Sequence, residues 1–454
     1  MADGGLQPDP TLLEGAMTDL RSALEERLVA AGREARDEIV GLLGELVACD
    51  TTARAADDPA RDEEKLQRIL ARRLEALGAE VDLWEASSTG TGNRHVPDDL
   101  GFKGRPQLAA RLRGAGGGRS LLLNGHIDAV SAEPRERWTS DPFRLTERNG
   151  RLYGRGVADM KGGLATMLVA LETLRRCGVR LAGDVVYCSV TDEESSGAGG
   201  FAAVAHGVKA DAGICAEPTD FDVWVACRGS LTPVITIPGR PGHAEMVQPH
   251  WRAGGAVNAI DKLRLVLDAV ARLNDEWRGR ADHRHPYVSP GTIVPTVVHG
   301  GEWEITYPAS CTLTCEAMYL PTHLDAEGTG KKVEAEIKAW IERAVAVDPW
   351  FEEHPLQWFW DGDVVPAEVP DDDPIVAESV AAGAAVGRAG RVAGFDSWHD
   401  GATFTRRGGT PTVCFGAGDG RAAHTIDEWI TAGDLADPAA ATALLVARWC
   451  GVAG

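Results

Sequence analysis

The sequence predicts an α/β protein in which a mostly parallel sheet is flanked by helices and interrupted by an inserted α+β domain. Three observations lead there. Four short apolar runs, at 121–123, 185–190, 212–215 and 412–415, are continuous rather than alternating, as in strands buried on both faces. Segments of helical period separate them, the rhythm of a parallel sheet with crossover helices. Between about 228 and 346 the pattern changes to period-two stretches and two amphipathic helices, with strand-then-polar segments on both sides of it.

The chain has 454 residues, beyond the roughly 250–300 at which one core stops growing. The division expected is 1–227 and 347–454 as two parts of one domain, with 228–346 inserted between them. Hydrophobic residues at 44% and charged residues at 25% describe an ordinary globular chain. A net charge of −22 disfavours nucleic acid and anionic membranes as partners. No run approaches the ~18 apolar residues of a membrane span, and the N-terminus lacks the basic and apolar regions of a secretory leader. Nine scattered cysteines suggest a reducing compartment, so a cytoplasmic location is expected.

Taken in order, residues 1 to about 20 are polar, contain Gly and Pro, and are expected to fray. Leu66, Ile69, Leu70, Leu74 and Leu77 recur at three and four, and Gly78 supplies a stop, which predicts a helix over 61–77. Leu164, Met167, Leu168, Leu171 and Leu174 predict a second helix over 162–176, directly behind Asp159. In the insertion, helices are expected near 256–273 and 333–345, the latter striped by Val333, Ile337, Trp340 and Ile341. Cys311 and Cys315 fall on one face of an alternating strand and lack the further ligands of a zinc site.

Chemistry-bearing residues follow the strands, where open α/β sheets build their sites. NGHID brings His126 and Asp128, TDEE brings Glu193 and Glu194, AEPT brings Glu217, and AAHTIDE brings His424 after a Gly-rich turn. Asp159 holds the matching place before a helix. An oxygen- and nitrogen-rich set without thiolate suits zinc, cobalt or manganese. Asp128 is placed to take the second ring N–H of a ligating His126, or else to cap a turn. Glu193 and Glu194 read either as a solvated acidic loop or as one ligand and one general base beside a cation.

These residues lie in LLLNGHIDAV, WTSDPFRLTERNGRLYGRGVADMKGGLATM, SVTDEESSGAGG, AEPT and PTVCFGAGDGRAAHTIDEWI. From about residue 36 onward the chain resembles the binuclear zinc aminoacylase and carboxypeptidase family that includes acetylornithine deacetylase and succinyl-diaminopimelate desuccinylase. The resemblance implies a binuclear zinc hydrolase fold whose insertion is a lid and dimerisation domain. It implies two Zn2+, with Co2+ or Mn2+ as substitutes: His126, Asp159 and Glu217 on one, Asp159, Glu194 and His424 on the other. It assigns Glu193 as general base and Asp128 as the carboxylate behind the first His, and implies a cis peptide after Asp159. His243, in PGHAEMVQPHWRAGGAVNAI, is the expected oxyanion donor across a homodimer, in preference to His250.

The activity so implied is hydrolysis of an amide in a small N-acyl amino acid or N-acyl amine by a water that bridges two metals. Dipeptidase, carboxypeptidase, N-formyl or N-carbamoyl hydrolase and a non-catalytic binding protein are the alternatives. The chain departs from the family pattern at Ile305, where many relatives have Asn, and at Met318, where they have Arg. SWHDGATF keeps the usual Asp at Asp400 but adds His399. Arg252, Arg280 and Arg284 are candidate lid cations for an acidic group, or solvated surface charges.

Overall fold

A computed structural model describes residues 10–53, 59–87 and 101–453, with the backbone alone described at 10–21. Residues 1–9 of the segment expected to fray lie outside it. The remainder of that segment is helical backbone within Pro10–Glu34, correcting the expectation.

Among the described residues the main sheet has nine strands. Edge to edge it runs through Glu80–Trp84, Gln107–Leu112, Val185–Val190, Leu121–His126, Ala212–Cys215, Thr412–Cys414, Val223–Cys227 and Ala367–Glu368, with Val392–Phe395 also paired to Val223–Cys227. The four strands predicted from continuous apolar runs are adjacent and mutually parallel, and every residue in them is buried. Alternation sorts their side chains between two cores. Leu121, Leu123, Val185 and Tyr187 face the larger core with helices Lys161–Arg176 and Gly433–Cys450. Leu122, Val186 and Cys188 face the other side with Ala203 and Phe404. Each such aliphatic side chain, fully buried, contributes about 1.5–3 kcal/mol.

The predicted helices appear as Glu63–Ala76 and Lys161–Arg176. Gly163 lets the second of these start hard against the sheet, since a Cβ there would strike the carbonyl oxygen of Ala216. That contact brings the loop carrying Asp159 beside the strand that ends before Glu217.

A second, wholly antiparallel sheet runs Thr292–Gly300, Ser310–Tyr319, Gly229–Pro238, Gln357–Val364. Helices Ala259–Gly279 and Lys331–Val345 cover one face, around Leu231, Ile235, Leu313, Trp277, Ile337 and Trp350. Cys311 and Cys315 point into that core. Because Gln357–Val364 completes the sheet and Trp350, Phe351 and Leu356 close its core, this packing unit extends to Val364 rather than stopping at 346. The short amphipathic pattern of QWFWDGDV, interrupted by a bulge between Trp360 and Asp363, hid the last strand from the sequence reading.

Candidate active site

The carboxyl ends of the parallel strands converge on one cluster. His126 is the last residue of its strand, Glu193 and Glu194 follow Val190 after a turn at Asp192 (φ 69°), Glu217 follows Cys215, and His424 (φ 59°) sits on the loop after Thr412–Cys414. Asp159 arrives from the loop before Lys161–Arg176, and its peptide bond to Met160 is cis. His126 Nε2 lies 3.0 Å from Asp159 Oδ1. On the far side, His424 Nε2 is 3.0 Å from Glu194 Oε2 and 3.4 Å from Asp159 Oδ2. Two three-residue groups result, His126/Asp159/Glu217 and Asp159/Glu194/His424, each with potential ligand atoms within 4.8 Å of one another and with Asp159 common to both. Glu193 Oε2 stands 3.8 Å from His126 Nε2.

The electrostatics are those of a site built for cations. Burial and the neighbouring carboxylates push Glu217 well above the ordinary range; burial likewise raises Glu193 and Glu194. Burial opposes a charge on Asp159 too, yet hydrogen bonds from both imidazoles hold it ionised. The imidazoles respond in kind. Although burial opposes it, Asp159 and the glutamates raise His126 well above its usual value, and hydrogen bonds to Asp159 and Glu194 take His424 to about 10. Four carboxylates and two imidazoles gathered at one place are favoured by positive charge among them, which would offset the burial of the carboxylates. The mixed N/O donors, with no thiolate, fit a borderline divalent ion.

Asp128 does something other than the sequence reading expected. The imidazole of His126 does not hand its second N–H to the Asp128 carboxylate: Nδ1 is 2.9 Å from the Asp128 main-chain carbonyl and 3.7 Å from its Oδ1. The carboxylate instead accepts the backbone N–H of Glu193 (3.2 Å) and of Glu194 (3.0 Å). With its main-chain carbonyl serving the ring, Asp128 has its side chain free to clamp the TDEE loop.

A residue the motifs did not single out supports Asp159. Glu428 accepts the N–H groups of Gly156 (3.0 Å), Ala158 (2.8 Å) and Asp159 (3.2 Å) while ion-paired with Arg155 at 2.7 Å. Its only signal in sequence was an acidic residue four after His424, indistinguishable from a surface charge. Asp400 is fully buried beneath the cluster, and burial pushes its carboxyl to about 8. His399 beside it is buried and held neutral, near 4.

The lid candidates are dispersed. His243 is exposed and lies outside the cavity of its own chain. His250 caps a short helical turn by accepting the Arg252 N–H. Arg252 pairs with Glu353, Arg280 with Asp282 and Glu336, and Arg284 is exposed, so none of the three lines the cavity. Ile305 is partly exposed and offers its carbonyl to Ala244. Met318 does line it. The cavity, about 460 Å³, opens over the cluster and is closed on other sides by Trp224, Phe395, Trp398, Ser230 and Glu316, which the sequence reading also missed.

The model for peptidase family M20/M25/M40 matches residues 122–448. The chain belongs to this family. N-formyl-4-amino-5-aminomethyl-2-methylpyrimidine deformylase of Bacillus subtilis (strain 168) is 27% identical over 442 residues, covering 92% of this chain and 96% of the relative. Acetylornithine deacetylase of Proteus mirabilis (strain HI4320) is 31% identical over 291 residues, covering 62% of this chain and 67% of its own. Among solved structures, a tripeptidase from Staphylococcus aureus superposes with a TM-score of 0.68 at 20% identity, over 91% of this chain and 99% of that one, which shows the shared fold. Family membership makes the protein a metal-dependent hydrolase of amide C–N bonds. Among the described residues no helix is long and apolar enough to cross a membrane.

Proposed function

We propose that the chain is a deacylase that cleaves the amide of a small N-acyl amine, with a formyl or other short acyl group as the part released. The carrying observation is that two three-ligand groups share Asp159 while Glu193, not needed in either, stands beside them. The near-full-length likeness to a deformylase supports the choice of acyl group.

In this reading His126, Asp159 and Glu217 would hold one Zn2+ and Asp159, Glu194 and His424 the other, with Co2+ or Mn2+ as substitutes. Divalent ions there supply Lewis acidity toward water and the amide carbonyl. Glu193 takes the proton of the attacking water at its carboxylate and returns it to the departing nitrogen. Burial suits Glu193 to holding that proton between the two steps, since it raises the carboxyl well above its ordinary value. Asp128 fixes the backbone from which Glu193 and Glu194 project. The Glu193→Gln variant should bind both metals and lose at least ~10²-fold in turnover, the size of a general base's contribution. Metal content by mass spectrometry with normal turnover in that variant would overturn the assignment.

Residues 228–364 act as lid and, in this proposal, as the homodimer contact. Support comes from Thr292–Gly300, an edge strand among the described residues, where Val294, Val297 and Val298 are 43–50% exposed and Trp303 nearby is 60% exposed. His243 of one chain would then donate to the carbonyl oxygen in the other chain's cavity. Val297→Lys should convert a dimer into monomers in sedimentation and reduce turnover; a wild-type protein that sediments as a monomer at full activity sinks this part. Eight of the nine free cysteines are buried, which fits a reducing, cytoplasmic setting.

A further inference from the structure

Resting on the deacylase reading, we infer that the amine half of the substrate is a flat aromatic ring carrying a cationic or N–H-donating group, received between an aromatic wall and the carboxylate of Glu316. Substrates whose amine half carries a carboxylate, as N-acyl amino acids do, are disfavoured.

The wall belongs to the catalytic unit. Trp224 and Phe395 stack with ring centres 4.4 Å apart and planes 3° apart. They come from neighbouring parallel strands, Val223–Cys227 and Val392–Phe395, in which Trp224 pairs with Ala393 and Phe395 lies two residues further on, and both line the cavity while remaining partly exposed. Trp398 extends the wall and is locked on two sides. Its Nε1 donates to the Val365 carbonyl at 3.1 Å, and its ring lies so close to Gly197 that a Cβ there would collide with it. Rigid aromatic faces at fixed spacing favour a planar guest, which loses little freedom on stacking.

The lid supplies the polar contact. Along Ser310–Tyr319, Glu316 and Met318 alternate onto the face turned away from the lid core, and Ser230 of the neighbouring strand pairs with Met318 in register. All three reach the cavity. Glu316 accepts hydrogen bonds from the hydroxyls of Ser230 and, at 3.4 Å, Thr232. Hydroxyls orient a carboxylate without cancelling its charge. Among the described residues no Lys or Arg lines the cavity. Two divalent ions would offset Asp159, Glu193, Glu194 and Glu217, and leave Glu316 as the surplus negative group facing the guest. A cation or an N–H-rich edge completes it; a second carboxylate would be repelled. Met318 adds an apolar surface beside it, and a cavity of about 460 Å³ holds a single ring system and a short acyl group.

The test separates binding from turnover. Calorimetry on the zinc-loaded Glu193→Gln protein measures binding of three N-formyl compounds: an aminomethyl-aminopyrimidine, cyclohexylmethylamine and phenylalanine. The first should bind at least tenfold more tightly than either of the others. Adding Glu316→Gln should weaken the aminopyrimidine at least tenfold and the cyclohexyl compound less than threefold, whereas Glu316→Arg should improve phenylalanine binding. Trp224→Leu should erase the advantage of the aromatic ring over the cyclohexyl ring. Equal binding of all three, or an equal loss of all three in Glu316→Gln, overturns the inference whatever the turnover. The predicted binding order together with no amine release from any of them by the zinc-loaded wild type would overturn the deacylase reading instead.

Discussion

Replacing Asp128 by Asn asks what that residue does, because the two roles open to it predict different losses. Its two carboxylate oxygens accept the N–H groups of Glu193 and Glu194 at 3.2 and 3.0 Å. Asn offers one oxygen, and its amide nitrogen turns a donor toward the other N–H. One hydrogen bond to a charged group is lost, worth about 1.5–3 kcal/mol. If that falls on the positioning of the Glu193 carboxylate in the reacting state, kcat drops by about tenfold to about 150-fold at ~1.4 kcal/mol per decade. Affinity for the ion held by His126 should stay unchanged, because that ring is oriented by the main-chain carbonyl of residue 128, which the substitution leaves in place. The assay is steady-state amine release at saturating zinc, with zinc affinity measured by competition against a chelator. Had the side chain tuned the imidazole, affinity would fall about 10–100-fold instead. A variant with weakened zinc binding and a full kcat once loaded refutes the clamp.

Two further predictions concern stability. Glu428→Ala strands the Arg155 guanidinium, which is 2% exposed, and frees three amides around Asp159, so unfolding free energy in urea should fall by about 3–5 kcal/mol; a loss under ~1 kcal/mol would show the pair to be dispensable. In the lid, burial and then His323 and Arg280 lower the buried His283 to about 4, and neither of its ring nitrogens has a hydrogen-bond partner among the described residues. The unfolded imidazole, near 6.5, takes up a proton that the folded one refuses, so its contribution is intact above that pH and is lost as pH falls toward 4. His283→Leu, which cannot be protonated, should therefore lose less stability than the wild type between pH 7 and pH 4.5 in matched urea titrations, and parallel curves would contradict the shift.

Much of the molecule was legible in the chain because the signals were local. Continuous apolar runs at 185–190 and 212–215 mark strands covered on both faces, since runs this short, set between helical segments, fit a buried parallel strand. A three-and-four period ending at a glycine marks the helix before residue 78. The polar residues after each strand were legible as a group for the same reason: a parallel sheet puts all those strand ends on one side, so order along the chain becomes proximity in space.

What tertiary structure alone decided are the relations between segments far apart in sequence. That Glu428 braces the Asp159 loop depends on the chain folding back over a separation of 269 positions, and nothing near residue 428 records it. The use of Asp128 as a clamp on Glu193 and Glu194 was invisible because its partners are main-chain amides, which every residue possesses. The lid's last strand, 357–364, is half polar by composition and becomes a strand only through its pairing with Gly229–Pro238. The aromatic wall and Glu316 gather from strands of two sheets around one cavity. A side chain's chemistry is written in its own codon, but its neighbours are chosen by the packing of the whole chain.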